Sequence, residues 1–186
     1  LKNADFLKKG GTQKFLSFFI NGLFSNSVSG SGAVMLALGG CQSHPQIVHD
    51  KYTGATACVS GKHTDHSGLL QTLNTIATYV QGKGYAVGIE YNSYSRLSPA
   101  TVWSDGHQYT YNDLGSDAHA CMGAGGCLIE ECGAIKLSKD EFYQFAKMGF
   151  DFKIVGYHGE VTGHMPASIF QSVIDQCPDA GSTSGG

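Results

Sequence analysis

The sequence predicts an α+β domain, an antiparallel β-sheet with a C-terminal β-α-β-β-α unit. Two observations carry this reading. The stretch Cys127–Cys177 reads strand, helix, strand, tight turn, strand, helix, while the segments before it read as strands and turns; that segregated order is α+β, not alternating α/β. Glycine is 26 of 186 residues, about twice the usual share of roughly 7%, and charged residues are 15% against a usual ~25%, a composition of turns and half-buried strands on an exported chain. With 41% hydrophobic residues there is enough apolar surface for one domain with its own core. A net charge of −3 argues against nucleic acid as a partner, whose binders need a basic stripe.

The N-terminal segment is set apart by charge. Lys2, Lys8, Lys9 and Lys14 against Asp5 give the first fourteen residues +3, leaving −6 on the remainder. A basic head followed by apolar residues is the layout of an export signal. Phe15 to Ile20 begins the apolar run, and Ala33 to Leu38 resumes it before Gly39, Gly40 and Cys41. Residues 1–40 are therefore expected to be a signal-like leader and 41–49 a polar tether. Leu1 in place of Met points to an alternative start codon or a fragment. No other stretch reaches the roughly 18 apolar residues of a membrane span.

From residue 50 to 177 the elements belong to one domain. Tyr52-Thr53-Gly54 makes a turn, Ala55 to Ser60 has strand character, and Gly61 to Gly68 reads as a polar loop. Leu69 to Val80 leaves two readings open. Leu69, Leu70, Leu73, Ile76, Ala77 and Val80 have helical spacing, while Thr72, Thr75, Thr78 and Tyr79 favour a strand. Tyr85, Val87, Ile89 and Tyr91 lie on one face of a strand. Thr101 to Tyr111 reads as a hairpin over Asp105-Gly106. Asn112 to Ala120 reads as loop, Cys121 to Gly126 as a glycine-rich link, and 178–186 as a disordered tail.

The C-terminal stretch carries the strongest local signals. Ser138 and Glu141 form a capping box at a helix start, Phe142, Phe145 and Ala146 share a face, and Gly149 ends the helix. Phe150, Phe152 and Ile154 alternate with Asp151 and Lys153. Gly159 serves a turn, Pro166 suits a first helical position, and Ile169, Phe170, Val173 and Ile174 form an apolar stripe.

Leu38, Gly39, Gly40 and Cys41 together resemble a bacterial lipoprotein signal, with the cysteine at the cleavage point. The alternative is a buried glycine-rich segment ending in an unmodified cysteine. Asp50-Lys51-Tyr52-Thr53-Gly54 after that signal, the Trp103 strand, Ile135 to Ser138 and Phe152 to Gly156 are similar to a group of small bacterial envelope lipoproteins. That group has a D-K-F-T-G-like start and a similar C-terminal unit. The resemblance implies cleavage before Cys41, a lipid on its sulfur, and attachment to a membrane of the bacterial cell envelope, with envelope protein subunits as possible partners. It implies no cofactor and no catalytic residues. The chain departs from the group in its many cysteines and its long leader.

If Cys41 is lipidated, Cys58, Cys121, Cys127, Cys132 and Cys177 remain as disulfide candidates; if not, six cysteines allow three bridges. Export favours bridges over free thiols, and Cys121 to Cys132 places three thiols within twelve residues. Two enzymatic alternatives stand against this non-enzymatic reading. A metal site would gather His63, His66, His119 and Cys121, although neither a C-x2-C pair nor an H-E-x-x-H helix is present. A thiol hydrolase would use Cys58 with His119 or His107 as base and Asp117 or Asp113 as orienter. Against these stands the reading of Cys58 as a bridged or buried strand residue and of the histidines as exposed loop residues. Likewise, Tyr85, Tyr91, Tyr94, Trp103, Tyr109 and Tyr111 either fill strands or line a binding face.

Overall fold

The computed structural model describes residues 44–49, 55–68, 71–121 and 126–177. The expected leader, Cys41 and the tail at 178–186 lie outside them. The α+β class holds among the described residues, and the strands divide into two antiparallel sheets where the sequence suggested one.

The first sheet contains β1 (Gln46–His49), β2 (Thr56–Val59), β4 (Gln71–Val80), β5 (Gly84–Ser93), β9 (Cys127–Leu137) and β8 (Asn112–Cys121), in the order β1-β2-β4-β5-β9-β8. Strand β3 (His63–Gly68) pairs with the first half of β4, beside the half that β2 occupies. The second sheet has the order β11-β10-β6-β7, from β6 (Pro99–Ser104), β7 (His107–Thr110), β10 (Phe150–Gly156) and β11 (Gly159–Met165). Helices α1 (Lys139–Met148) and α2 (Ala167–Gln176) pack on each other, α1 also touching β5 and α2 touching β2 and β4.

Several expectations are corrected here. Residues 46–49 of the expected tether form β1, because Val48 turns inward against β2 and is buried. The expected loops at 61–68 and 112–120 are β3 and β8, at the margins of the first sheet. The undecided stretch before Val80 is strand β4. It lacks period-2 alternation because both its faces are buried, as in a strand covered on two sides.

The C-terminal helix signals act as local chemistry dictates. The Ser138 hydroxyl accepts the Glu141 N–H at 3.2 Å, and the Glu141 carboxylate accepts the Ser138 N–H at 2.7 Å. Gly149 ends α1 at φ +83°, a conformation that costs a side-chain-bearing residue energy. Pro166 is the N-cap of α2 and not its first helical residue.

The main core lies where the inner face of the first sheet, the second sheet and both helices meet. Leu73, Val87, Ile89 and Ile135 from the first sheet join Phe150, Phe152 and Ile154 from the second and Phe142, Phe145, Phe170 and Val173 from the helices. Phe145 and Phe150 approach to 4.5 Å between ring centroids, and Phe142 and Phe170 to 5.2 Å, edge to face. The outer face of the first sheet carries its own buried set, including Val48, Val59, Ile76 and Val80.

The passage from β5 into the second sheet is held by a carboxylate. Glu131 is buried on β9 and accepts the N–H groups of Leu97 at 2.7 Å and Ser98 at 2.9 Å. The carbonyls of the same two residues accept the Tyr157 and His158 N–H groups from the β10–β11 turn. Gly156 lies against the Leu97 carbonyl so closely that a β-carbon there would overlap it.

Candidate functional site

Of the cysteine candidates, Cys58 and Cys177 are bridged, with Cα atoms 6.4 Å apart and 119 residues between them in sequence. The bond joins β2 to the end of α2. Cys127 is also disulfide-bonded, and its backbone partner in the β8–β9 register is Cys121. Cys132 is a free thiol. Burial, with the carboxylates of Glu130 and Glu90 nearby, pushes that thiol far above its ordinary range, so it stays protonated and a poor nucleophile.

The thiol-hydrolase arrangement is not formed. Cys58 is fully buried and in a disulfide, so it has no thiolate to offer. His107 lies in the second sheet beside Glu141, and Asp113 and Asp117 lie on β8, the strand at the far end of the first sheet from β1 and β2. The metal group is not gathered either. His63 and His66 belong to β3, His119 and Cys121 to β8, and β4, β5 and β9 stand between. Four strand spacings of about 4.8 Å separate them, roughly 19 Å along the sheet. Among the described residues no cluster of three or more His, Cys, Asp or Glu side chains has metal-binding geometry.

The aromatic set divides. Tyr85, Tyr91, Tyr109 and Tyr111 are core residues, while Trp103 and Tyr94 keep exposed surface. Burial first, and then the neighbouring Glu141 carboxylate, raises the Tyr109 phenol well above its ordinary value, so it acts as a donor, to Glu141 at 3.1 Å.

A polar network lies on the outer face of the first sheet. Glu90, only 9% exposed, accepts from Asn74 at 2.7 Å, from Asn92 at 3.0 Å and from the Lys62 ammonium at 3.1 Å. A buried carboxylate so surrounded is a satisfied structural ion. Nothing in the register of β5 signalled it beyond its position opposite the Val87–Ile89 face.

An open cleft of about 1070 Å³ lies on the solvent face of the second sheet. It runs from the β6–β7 turn at Asp105-Gly106, across Trp103 and Lys153, to His164 and, beyond β11, Asp65 of β3. Cross-strand pairing sets its floor: Trp103, Lys153 and Thr162 are successive partners across β6, β10 and β11 and so share a face. The Trp103 Nε1–H donates to the Thr101 hydroxyl at 3.2 Å, folding the indole back along its own strand. Asp65 accepts the His164 N–H at 2.9 Å, and the His164 Nδ1 stands 2.6 Å from Asp151 Oδ1. Lys153 pairs with Glu160 at 3.2 Å. Of this group only Trp103 stands out in the sequence as a residue of a binding face.

Compared with known protein families, curated sequences and solved structures, the chain matches none. Among the described residues no helix is long and apolar enough to cross a membrane.

Proposed function

We propose that this chain is a non-enzymatic accessory or structural protein of a bacterial cell envelope, exported by its leader and anchored by a lipid on Cys41. The observation that supports it best is the Cys58–Cys177 bridge, joined by a disulfide at Cys127. Bridges of this kind persist in oxidising compartments such as the periplasm and are rare where thiols are kept reduced. The lipoprotein-like run Leu38-Gly39-Gly40-Cys41 supplies the anchor in this reading. The finer expectation, a C-terminal unit like that of the envelope lipoproteins, is supported by the chain order β9, α1, β10, β11, α2, although β9 lies in one sheet and the β10–β11 hairpin in the other.

Mass spectrometry of the membrane fraction tests the proposal. The expected product begins at Cys41 and carries diacylglycerol on its sulfur. A soluble protein with residues 1–40 attached and an unmodified Cys41 sinks it.

A further inference from the structure

We propose that the cleft on the solvent face of the second sheet is a binding site for an uncharged saccharide chain, with the Trp103 indole as its stacking platform. The site goes beyond the envelope reading and does not depend on how the chain is exported or anchored.

The cleft has the composition such a ligand requires. Its volume, about 1070 Å³, is at the upper end of small-ligand sites, which suits a short oligomer. Two of its apolar residues, Phe152 and Val161, have buried side chains, whereas Trp103 is 38% exposed. Around that ring the lining is polar. A pyranose ring with equatorial hydroxyls presents one flat face of C–H groups and a rim of groups that both donate and accept hydrogen bonds. One exposed aromatic plane among oriented donors and acceptors complements it, and a wholly apolar ligand would strand those polar groups.

The carboxylates supply acceptors for such a rim of hydroxyls. Four carboxylates line the cleft, Asp65, Asp105, Asp151 and Glu160, against the one ammonium of Lys153. Three of the four already hold a partner: Asp65 the His164 N–H, Asp151 the His164 ring, Glu160 the Lys153 ammonium. Each is held through one oxygen, which leaves the other oxygen available as an acceptor. Lys153 meets the charge of Glu160, and hydrogen bonds from His164 hold Asp65 and Asp151, so the face offers positioned acceptors to ligand hydroxyl groups. Lys153, the cross-strand neighbour of Trp103 on β10, adds a donor beside the ring.

Trp103 is the single tryptophan of the chain, so fluorescence of the full, oxidised protein, excited at the red edge where its nine tyrosines do not absorb, reports on the cleft alone. Titration with N-acetylated chitotetraose and with cellotetraose, both uncharged and equatorially substituted, is expected to give a saturable change with at least one. By calorimetry, Trp103→Ala weakens that binding by about tenfold, the scale of one aromatic contact, and Trp103→Tyr keeps most of it. Circular dichroism of both variants confirms that the fold is retained. No saturable change with either saccharide up to its solubility overturns the proposal. So does equal affinity in a folded Trp103→Ala protein. Hexalysine is the contrasting probe: if it alone binds, and the binding fades with added salt, the cleft is a site for basic peptide segments instead.

Discussion

At the scale of single residues, buried or half-buried carboxylates decide more of this structure than their number suggests. Glu131 ties the Leu97–Ser98 backbone to β9, Glu90 gathers Lys62 and two asparagines, and Glu141 closes the α1 cap while accepting from Tyr109. Partial burial alone would raise the Glu141 carboxyl, but hydrogen bonds from the Ser138 hydroxyl, the Ser138 N–H and Tyr109 outweigh it and hold the group below its ordinary value of 4.5. The unfolded chain then binds this proton more tightly than the folded one. The contribution of Glu141 to stability is complete above the ordinary carboxylate range and is lost as pH falls through 4.5 toward the lowered folded value. In Glu141→Gln the amide keeps the shape of the capping box without titrating. Its melting temperature should fall less between pH 7 and pH 3 than that of the parent protein. Parallel curves for the two proteins over that range would contradict this assignment.

At the scale of elements, legibility in the sequence follows how local the determining interactions are. Helix α1 was readable because its cap, its apolar face and its terminator lie within twelve residues, Ser138 to Gly149. The β6–β7 hairpin was readable from Asp105-Gly106, and β10 from its alternation, which the burial of Phe150, Phe152 and Ile154 follows. Strands β3 and β8 were not readable. His63-Thr64-Asp65-His66 and Asn112-Asp113 offer no apolar period, and backbone pairing to β4 and β9 makes them strands. The cleft was the least legible feature, since it joins residues 65, 103, 151 and 164 through the register of strands far apart in sequence. The β10–β11 turn shows how tight such long-range docking is. Gly156→Ala would drive a methyl group into the Leu97 carbonyl, a backbone atom that cannot rotate away. It should cost about 1–3 kcal/mol in denaturant unfolding, the usual range for overpacking. A variant as stable as the parent would mean that the 94–98 segment is free to shift.

At the scale of the whole molecule, the two sheets and two helices share one aromatic core, and the Cys58–Cys177 bridge closes it. Strand β2 is only four residues long and pairs with a three-residue part of β4, so its hold on the sheet is short. Helix α2 has no side-chain cap at its start and no basic residue in its last turn, so it depends on packing through Phe170 and Val173. The bridge ties these two weakly anchored ends of the domain together across 119 residues of sequence. Closing so long a loop restricts the unfolded chain strongly, and loss of a native bridge of this kind typically costs about 2–4 kcal/mol. The double variant Cys58→Ala, Cys177→Ala should therefore unfold at clearly lower denaturant concentration. Its slope against denaturant should rise or stay level, depending on how far the unbridged unfolded chain expands. Phe170→Ala, which empties a fully buried ring position on α2, should cost a comparable or larger amount, about 3–5 kcal/mol. The bridge and the ring hold the same helix to the same sheet, so their combined loss should depart from the sum of the two. Strict additivity in that triple variant would show that the bridge acts on the unfolded chain alone and does not position α2.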